Sequence, residues 1–234
     1  MNMLLLEPED MTAPNAARVS GRRFDELLRI GVEVGKFCRA GMRGGLTGRA
    51  EVLRIEPDAI VLRPDFDTPA PAKSELVLIA ALPRPQTLDK VIHAAVTMGV
   101  EELWFIHTRK VEKSYWDSSK LHPDHLKREI DLALEQCGDT IAPRLEFRRR
   151  FRPFVEDELP VLASGRSAWF GDPAATEPVR TVSGAKLLAV GPEGGFTDFE
   201  CEMLRRAGLT GVTLGPRILR TEFAVAALLA MLGM

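Results

Sequence analysis

The stretch KLLAVGPEGGFTDFE, residues 186–200, decides how the second half of the chain is interpreted. Its first five residues form a continuous apolar run, which is typical of a strand inside a parallel sheet. A glycine-rich turn follows, and then TDFE, in which Thr197 can cap a helix with Glu200 three residues later. Gly208 is the expected end of that helix. Its predicted buried stripe consists of Phe199, Met203, Leu204 and Ala207.

The order strand, glycine-rich turn, helix permits a phosphate site, because helix N-termini attract anions. However, the turn carries neither the GK[ST] of a Walker loop nor the G-x-G-x-x-G of a dinucleotide site. Two readings stay open at this point: a tight turn that needs positive φ, or a backbone left bare for another ligand.

Strand and helix patterns alternate on both sides of this stretch, which predicts an α/β domain with right-handed crossovers. Two helices are predicted, at 87–100 and 125–137, from apolar residues at helical spacing. The predicted strands are ELVLIAALP (75–83), ELWFIHT (102–108), SAWFG (167–171), KLLAV (186–190) and GVTLG (211–215).

The front of the chain has a different pattern, of short strands separated by turns. Strands are predicted at 32–41, 46–55 and 59–64, which favours a small β-barrel of about 70 residues. The proline-rich stretch DFDTPAPAKSE (65–75) has no periodicity and is predicted to be a linker.

Composition limits the classes of function. The net charge of −2 creates no global attraction to nucleic acid, so any RNA contact must come from a local patch. The three cysteines form no C-x-x-C pair, which argues against a disulfide framework or a zinc site. No metal is expected at His122 and His125 either, because no third ligand lies nearby in the sequence. The longest late apolar run spans 12 residues, fewer than the roughly 20 that cross a bilayer, so no membrane is expected and the chain is predicted to be cytoplasmic.

The second informative stretch is LGPRILRTEFAVAALLAML, residues 214–232. Its polar turn contains Arg217, Arg220 and Glu222, and the helix that follows is nearly all apolar. Such a helix is buried under other elements or against a partner subunit. A solvated helix start remains the alternative reading of the two arginines.

GPEGGF (191–196) followed by LGPRILRTE (214–222), with EQCG (135–138), resembles the signature of the RsmE-type methyltransferases. This family belongs to the knotted SPOUT class and methylates N3 of a uridine in 16S ribosomal RNA with S-adenosylmethionine. The resemblance implies an RNA-binding PUA-like β-barrel over 1–72 and a SPOUT methyltransferase domain with a trefoil knot over 73–234. It also implies a homodimer that acts on the small ribosomal subunit.

The resemblance further implies that backbone groups of three loops hold a neutral adenosine, with no phosphate involved. Arg220 is the first choice for stabilising charge on the uracil and Arg217 the second, and Glu222 either orients one of them or helps to accept the proton. The implied cofactor-binding residues are Phe170, Gly171, Gly191, Pro192, Glu193, Gly194, Gly195, Leu214, Gly215, Ile218 and Leu219.

An arginine-rich stretch, RLEFRRRFR (144–152), is either a solvated charged face or a strip that faces RNA. The implied RNA-binding residues are Arg22, Arg23, Arg148, Arg149 and Arg150, and Arg39 and Arg43 would extend the strip.

The chain departs from the family pattern at four positions. Ala94 and Thr97 stand where the family usually has a lysine and a glutamate, Asp139 stands near a common arginine, and Phe223 replaces a threonine. An acid in place of an arginine would repel a polyanion. Two alternatives therefore remain: a related SPOUT enzyme with a shifted RNA target, and a non-catalytic RNA-binding or ribosome-assembly factor.

Overall fold

The structure is a computed structural model that describes residues 1–233. The chain divides into two compact units. The first unit comprises residues 1–71 together with 130–142, and the second comprises residues 72–129 together with the chain from Pro143 onward. The sequence places the boundary at 72/73, and it gives no sign that residues 130–142 group with the front of the chain.

The first unit contains a six-stranded sheet. Its elements are β1 (Leu4–Leu6), β2 (Met11–Ala13), β3 (Ala16–Ser20), α1 (Arg22–Arg29), β4 (Phe37–Met42), β5 (Thr47–Ile55) and β6 (Ala59–Thr68). The sheet has the order β1-β4-β5-β6-β3-β2, in which β1 pairs with β4 in parallel and all other neighbours are antiparallel.

Side chains from one face of this sheet form the core of the first unit. Val19, Ala50 and Leu62 are fully or almost fully buried there, and Leu27 of α1 packs on them. Alternate residues of a strand point to opposite faces, so this pattern defines one buried face. A PUA-like barrel stays a prediction.

The second unit is an α/β domain whose six strands are all parallel, in the order β12-β10-β11-β7-β8-β9. The predicted parallel sheet is confirmed. Its elements are β7 (Ser74–Ala81), α2 (Pro85–Thr97), β8 (Val100–Ile106), α3 (Pro123–Cys137, which runs on into the residues of the first unit), β9 (Arg144–Arg148), α4 (Phe151–Pro153), a π-helical turn (Phe154–Glu158), α5 (Leu159–Ala163), β10 (Ser167–Gly171), β11 (Lys186–Val190), α6 (Asp198–Arg206), β12 (Thr210–Val212) and α7 (Thr221–Met231).

One face of this sheet packs against the helical segment 151–163 and against α6. Val77 and Ile79 of β7 lie in this core with Phe154 and Leu204. Intervening strand residues such as Leu78 point to the opposite face. Among the helices, α2 contacts β8, α7 contacts β11, and α2 and α7 contact each other.

The structure differs from the sequence prediction at several boundaries. The predicted linker 65–75 is wrong at both ends, because β6 continues to Thr68 and β7 begins at Ser74. The strands β1, β2, β3 and β9 and the helices of 22–29 and 151–163 were not predicted. The missed strands are short, and the segment 151–163 contains two prolines, which obscure a helical pattern.

The start of α6 is as predicted. The hydroxyl of Thr197 accepts a hydrogen bond from the Glu200 backbone N–H at 3.3 Å, and the Glu200 carboxylate accepts one from the Thr197 N–H at 2.8 Å. Gly208, just after the helix, has φ +95°. The predicted buried stripe is wrong at Phe199, which is 61% exposed, although Met203 and Leu204 are buried.

Within residues 1–233, no helix is long and apolar enough to cross a membrane.

Candidate active site

A pocket lies at the carboxyl ends of three neighbouring strands of the second unit, β10, β11 and β12. In open α/β sheets this is the usual place for a ligand, because the loops that follow parallel strands meet at one edge. The lining residues are Gly171, Asp172, Pro173, Val190, Gly191, Pro192, Glu193, Gly194, Gly195, Val212, Thr213, Leu214, Gly215, Arg217, Ile218, Leu219, Thr221, Ala224 and Leu228.

The loop 191–195 contributes bare main chain to this pocket. A Cβ atom on Gly191 would lie 3.0 Å from the backbone nitrogen of Phe196, which is tighter than nine in ten contacts of real Cβ atoms. Gly195 has φ +68°, in the left-handed region that favours glycine. Both readings of the turn that the sequence left open therefore apply: it is tight, and its backbone is accessible to a ligand.

Two charged side chains hold this glycine loop in place. The carboxylate of Glu193 accepts a hydrogen bond from the backbone N–H of Arg84 at 3.0 Å, at the start of α2. From the other side, the ammonium of Lys110 donates to the carbonyl of Gly194 at 2.6 Å. Hydrogen bonds to the segments that follow β7 and β8 therefore help to hold the loop in its conformation.

A buried carboxylate anchors the end of the loop. Glu200 is 3% exposed, and it accepts a hydrogen bond from the backbone N–H of Arg109 at 2.7 Å in addition to closing the cap with Thr197. Buried carboxylates are costly unless they are hydrogen-bonded, so this network fixes the position of α6 relative to the segment 108–110.

The opposite wall of the pocket is apolar. Leu214, Ile218 and Leu219 line it, and Ile218 is 84% exposed while Leu219 is 42% exposed. Large apolar side chains on such a wall cover a flat apolar group better than they cover a phosphate, which requires donors.

The two arginines of the segment 214–222 lie at different places. Arg217 lines the pocket, whereas Arg220 is the residue immediately before α7 and is not one of the lining residues. Both side chains are exposed.

The side chain of Glu222 contacts α2. It is 9% exposed, and its carboxylate accepts a hydrogen bond from the ammonium of Lys90 at 3.0 Å. Its own backbone N–H and the Lys90 ammonium hold the pKa of Glu222 below its ordinary value, and the charge of Arg220 adds to this effect. An ionised Glu222 is thus part of the contact between α2 and α7.

Phe170 is the one predicted cofactor-binding residue that does not line the pocket. Its side chain is fully buried in the core, 6.1 Å from the ring of Phe196 in an edge-to-face arrangement. The structure adds pocket residues that sequence reasoning missed, among them Asp172, Thr213 and Leu228. Asp172 directly follows the predicted strand 167–171, and this position could have identified it as a pocket residue. Leu228 carried no such signal.

Most arginines of the predicted RNA-binding set in the first unit have carboxylate partners inside that unit. Both amino groups of the Arg22 guanidinium donate to the buried Glu135 at 2.8 Å. The remaining pairs are Arg23 with Asp10, and Arg43 with Glu7 and Asp131, while Arg39 donates to the carbonyl of Gly138. These contacts give the arginines a structural role. The contacts do not support a role in RNA binding, which stays a prediction.

The arginines of 148–150 are not equivalent. Arg148 donates to Glu158 and Glu146 and lies 4.5 Å above the Trp104 ring. Arg149 lies 5.1 Å from the Trp116 ring and donates to the Trp116 carbonyl. Arg150 is exposed, and no ion pair engages it in the part of the chain that the structure describes. Arg150 is thus the member of the set whose charge is most available.

Asp139 does not form a repulsive surface charge. It is 4% exposed, and its carboxylate accepts a hydrogen bond from the backbone N–H of Ile141 at 2.9 Å, in the turn after α3. The expectation that this acid would repel a polyanion is therefore wrong. On α2, Ala94 is half-buried and Thr97 is exposed, and Lys90, one helical turn before Ala94, supplies a positive charge to Glu222.

Comparison with known proteins assigns the family. Residues 70–233 match the family described as RNA methyltransferase domain. The chain belongs to this family of RNA methyltransferases. Ribosomal RNA small subunit methyltransferase E of Treponema pallidum is 27% identical over 242 residues, which cover 99% of this chain and 90% of that protein. The protein of the same name from Mesomycoplasma hyopneumoniae is 30% identical over 166 residues, 67% of this chain and 68% of its own length.

The fold also agrees with that of a solved member of the family. The ribosomal RNA small subunit methyltransferase E of Neisseria gonorrhoeae, solved with bound S-adenosyl methionine, superposes with a TM-score of 0.76 at 22% identity and covers 98% of this chain and 95% of its own. The resemblance seen in the motifs is confirmed over nearly the whole chain.

The contact between Lys90 and Glu222 generates a prediction. Replacing Lys90 by Met removes the ammonium, so the pKa of Glu222 rises toward its ordinary value. The lowered pKa of Glu222 stabilises the folded state above the unfolded-state pKa of a glutamate, and this contribution disappears as the pH falls through the folded pKa. The difference in unfolding free energy between parent and Lys90→Met is therefore largest near neutral pH and closes in acid.

An NMR titration of the Glu222 carboxyl carbon measures this shift. Lys36→Met, which removes an exposed lysine in the first unit, is the matched control and leaves the pKa of Glu222 unchanged. An equal pKa of Glu222 in the parent and in Lys90→Met would contradict the role of Lys90.

Proposed function

We propose that this chain transfers the methyl group of S-adenosylmethionine to N3 of a uridine in 16S ribosomal RNA of the small subunit, in the cytoplasm. The observation that carries the proposal is the pocket at the ends of β10, β11 and β12, where the glycine loop faces an apolar wall. Its relatives are named for small-subunit ribosomal RNA methylation, and the Neisseria gonorrhoeae structure holds S-adenosyl methionine.

The pocket residues fit this donor. The main chain of 191–195 can approach a planar, uncharged adenine closely, because Gly191, Gly194 and Gly195 carry no side chains. Leu214, Ile218 and Leu219 provide an apolar cover for the adenosine. The candidate residues therefore present hydrogen-bonding backbone on one side and an apolar surface on the other.

The reaction class is an in-line displacement at a sulfonium methyl group, for which the bound donor supplies the reactive carbon. The chain supplies position and electrostatics. Uracil N3 carries a proton and becomes nucleophilic when that proton leaves, and the resulting negative charge spreads onto O2 and O4. A guanidinium held at the mouth of the pocket stabilises that charge.

Arg217 and Arg220 are the candidates for this guanidinium. Arg217 already lines the pocket, and Arg220 begins the helix whose first residue, Thr221, also lines it. The Lys90 contact of Glu222 favours a supporting role for this carboxylate at the start of α7, over direct proton transfer.

The proposed RNA contact must deliver a single base to the pocket. A base paired or stacked in folded RNA has to be turned out before its N3 can be reached. Phosphate contacts then hold the RNA, and the exposed Arg150 is the best available candidate among the arginines predicted from sequence.

The knot predicted from the resemblance is also part of the proposal. The segment that joins β10 to β11 donates from the Thr181 hydroxyl to the carbonyl of Met231 at 2.9 Å, and its Glu177 carbonyl accepts from the Thr213 N–H at 2.9 Å. One connecting segment therefore contacts both the strand before the pocket and the end of α7. These contacts support a threaded arrangement of the terminal helix.

We propose that the chain acts as a homodimer through α7 and the segment before it. Phe223 is 60% exposed and Met231 is 46% exposed, although α7 is almost entirely apolar. Ile218 and Leu219, in the segment just before α7, are also exposed, and exposed apolar side chains close together in the chain are typical of an interaction site. A symmetric partner that covers these side chains would complete the pocket.

Donor binding is the first prediction. Gly191→Ala places a methyl group against the backbone of Phe196, so the loop must move and S-adenosylmethionine should bind at least about tenfold more weakly by calorimetry. Gly45→Ala is the control, because its Cβ would meet ordinary contacts at 3.5 Å, and it should bind as the parent does. If Gly191→Ala and Gly45→Ala bound S-adenosylmethionine with equal affinity, the glycine loop would not be part of the donor site.

Methyl transfer is the second prediction. Small subunits from a strain that lacks this protein should gain one N3-methyluridine in 16S ribosomal RNA when they are incubated with the protein and labelled donor, as mass mapping of uridines would show. Arg217→Ala or Arg220→Ala should lower kcat by about 100-fold or more while donor affinity is kept. Arg206→Ala, a surface residue paired with Glu202, is the control. No methylated uridine would reject the function, and full activity in both variants would reject the role of the arginines.

Subunit association is the third prediction. Phe223→Asp puts a charge among these exposed apolar side chains, so the dimer should dissociate in sedimentation at micromolar concentration. Val161→Asp, at a residue that is 73% exposed on α5, should remain dimeric. A monomeric parent protein would refute the homodimer.

A further inference from the structure

Four side chains with metal-binding atoms face one another across α2 and α3 in the second unit. Asp89 and His93 lie one helical turn apart on α2, and His125 and Glu129 lie one turn apart on α3. Residues four apart share a face of a helix, with Cβ atoms about 5–6 Å from each other. Each helix therefore presents one imidazole and one carboxylate.

The pairs are connected crosswise between the helices. His125 Nε2 lies 2.9 Å from Oδ1 of Asp89, and His93 Nε2 lies 3.0 Å from Oε2 of Glu129. Both pairs join residues 36 positions apart in sequence. No third ligand lies near His125 in the sequence, because the partners are brought together only by the packing of the two helices.

We infer that Asp89, His125 and Glu129 form a binding site for a divalent transition-metal ion such as Zn²⁺, and that His93, which contacts Glu129, is the candidate for a fourth ligand. One ligand atom from each of the three lies within 4.8 Å of the others. Neighbouring ligand atoms of a tetrahedral zinc ion are ~3.3 Å apart, since the bonds are about 2.0–2.1 Å long. Small rotations of the three side chains would bring the ligand atoms from their present separation to the spacing around zinc.

The chemistry of the donor set selects the class of ion. Imidazole nitrogen suits Zn²⁺ and its neighbours in the first transition row, whereas Mg²⁺ and Ca²⁺ prefer oxygen alone. Two imidazoles and two carboxylates can neutralise the ion and complete a tetrahedron without a thiolate. Cys38, Cys137 and Cys201 are not part of the cluster.

Lys120 occupies part of the site in the metal-free chain. Its ammonium contacts Oδ2 of Asp89, on the carboxylate that also contacts His125. An ion must displace this ammonium, and the side chain of Lys120 is 30% exposed, so it can turn out to water. Glu129, with its side chain 12% exposed, is the most enclosed ligand.

A bound ion would join α2 to α3 directly. None of the four residues lines the pocket at the ends of β10, β11 and β12. The ion would therefore stabilise the fold, and it would fix α2, which carries Lys90 at its contact with Glu222. Binding to the folded chain alone raises its stability in proportion to the logarithm of ion concentration.

The test uses the full-length chain without a histidine tag, stripped with chelator. Calorimetry with Zn²⁺ should show one ion per chain, and Co²⁺ should give a tetrahedral visible spectrum without a thiolate band. His125→Gln and Glu129→Gln should each bind at least about tenfold more weakly. His122→Gln is the matched control, since His122 is exposed and contacts only Asp124 at 3.6 Å, and it should bind as the parent does.

Circular dichroism shows whether each variant folds. His125→Gln and Glu129→Gln remove different ligands, so each variant tests the site separately. Lys120→Gln should bind Zn²⁺ at least as tightly as the parent, because the competing ammonium is gone. No saturable binding up to millimolar zinc would overturn the site. Parent affinity in both His125→Gln and Glu129→Gln, a thiolate band with Co²⁺, or weaker binding by Lys120→Gln would also overturn it.

Discussion

The proposed donor site depends on a glycine-rich backbone, residues 191–195, that side-chain hydrogen bonds hold in place. A glycine loop gains close access to a ligand at the cost of conformational entropy. Here Glu193 and Lys110 hold the loop from two sides, and Glu200 ties its far end to the backbone of Arg109. The loop therefore lies at the carboxyl ends of the parallel strands with contacts to three neighbouring segments.

Charged residues in this chain are mostly used inside the fold. The Arg22–Glu135 pair and the Arg43–Asp131 pair join elements that are distant in sequence, and Arg148 is paired with the nearby Glu158. A partly buried guanidinium with a carboxylate partner is costly to separate, so these arginines are poorly suited to exchange partners for RNA phosphates. The proposed recognition of RNA therefore depends on a few exposed charges, such as that of Arg150.

Contacts inside the fold also bear on two positions at which this chain differs from the family, Ala94 and Asp139. Lys90 brings a positive charge to Glu222 from one turn before Ala94, where the family usually has lysine. Asp139 is buried in a turn after α3, so it changes a local hydrogen bond and no surface charge. These two observations weaken the case for a shifted RNA target.

The sequence predicted what depends on local patterns. The strand Lys186–Val190, the cap at Thr197 and the apolar residues after Leu214 carry their signals within a few positions. The sequence could not predict contacts between distant segments. Nothing near Arg22 indicates Glu135, and nothing near His125 indicates Asp89. Phe199 was misplaced because helical spacing identifies a stripe without showing how far the neighbouring elements extend.

A crystal structure of the chain with S-adenosylmethionine would show whether the glycine loop holds the donor. We expect the adenine between the backbone of 191–195 and the side chains of Leu214, Ile218 and Leu219, with the methyl group directed toward Arg217 or Arg220. A donor bound elsewhere, or a pocket closed by its own side chains in crystals that contain the donor, would contradict this expectation.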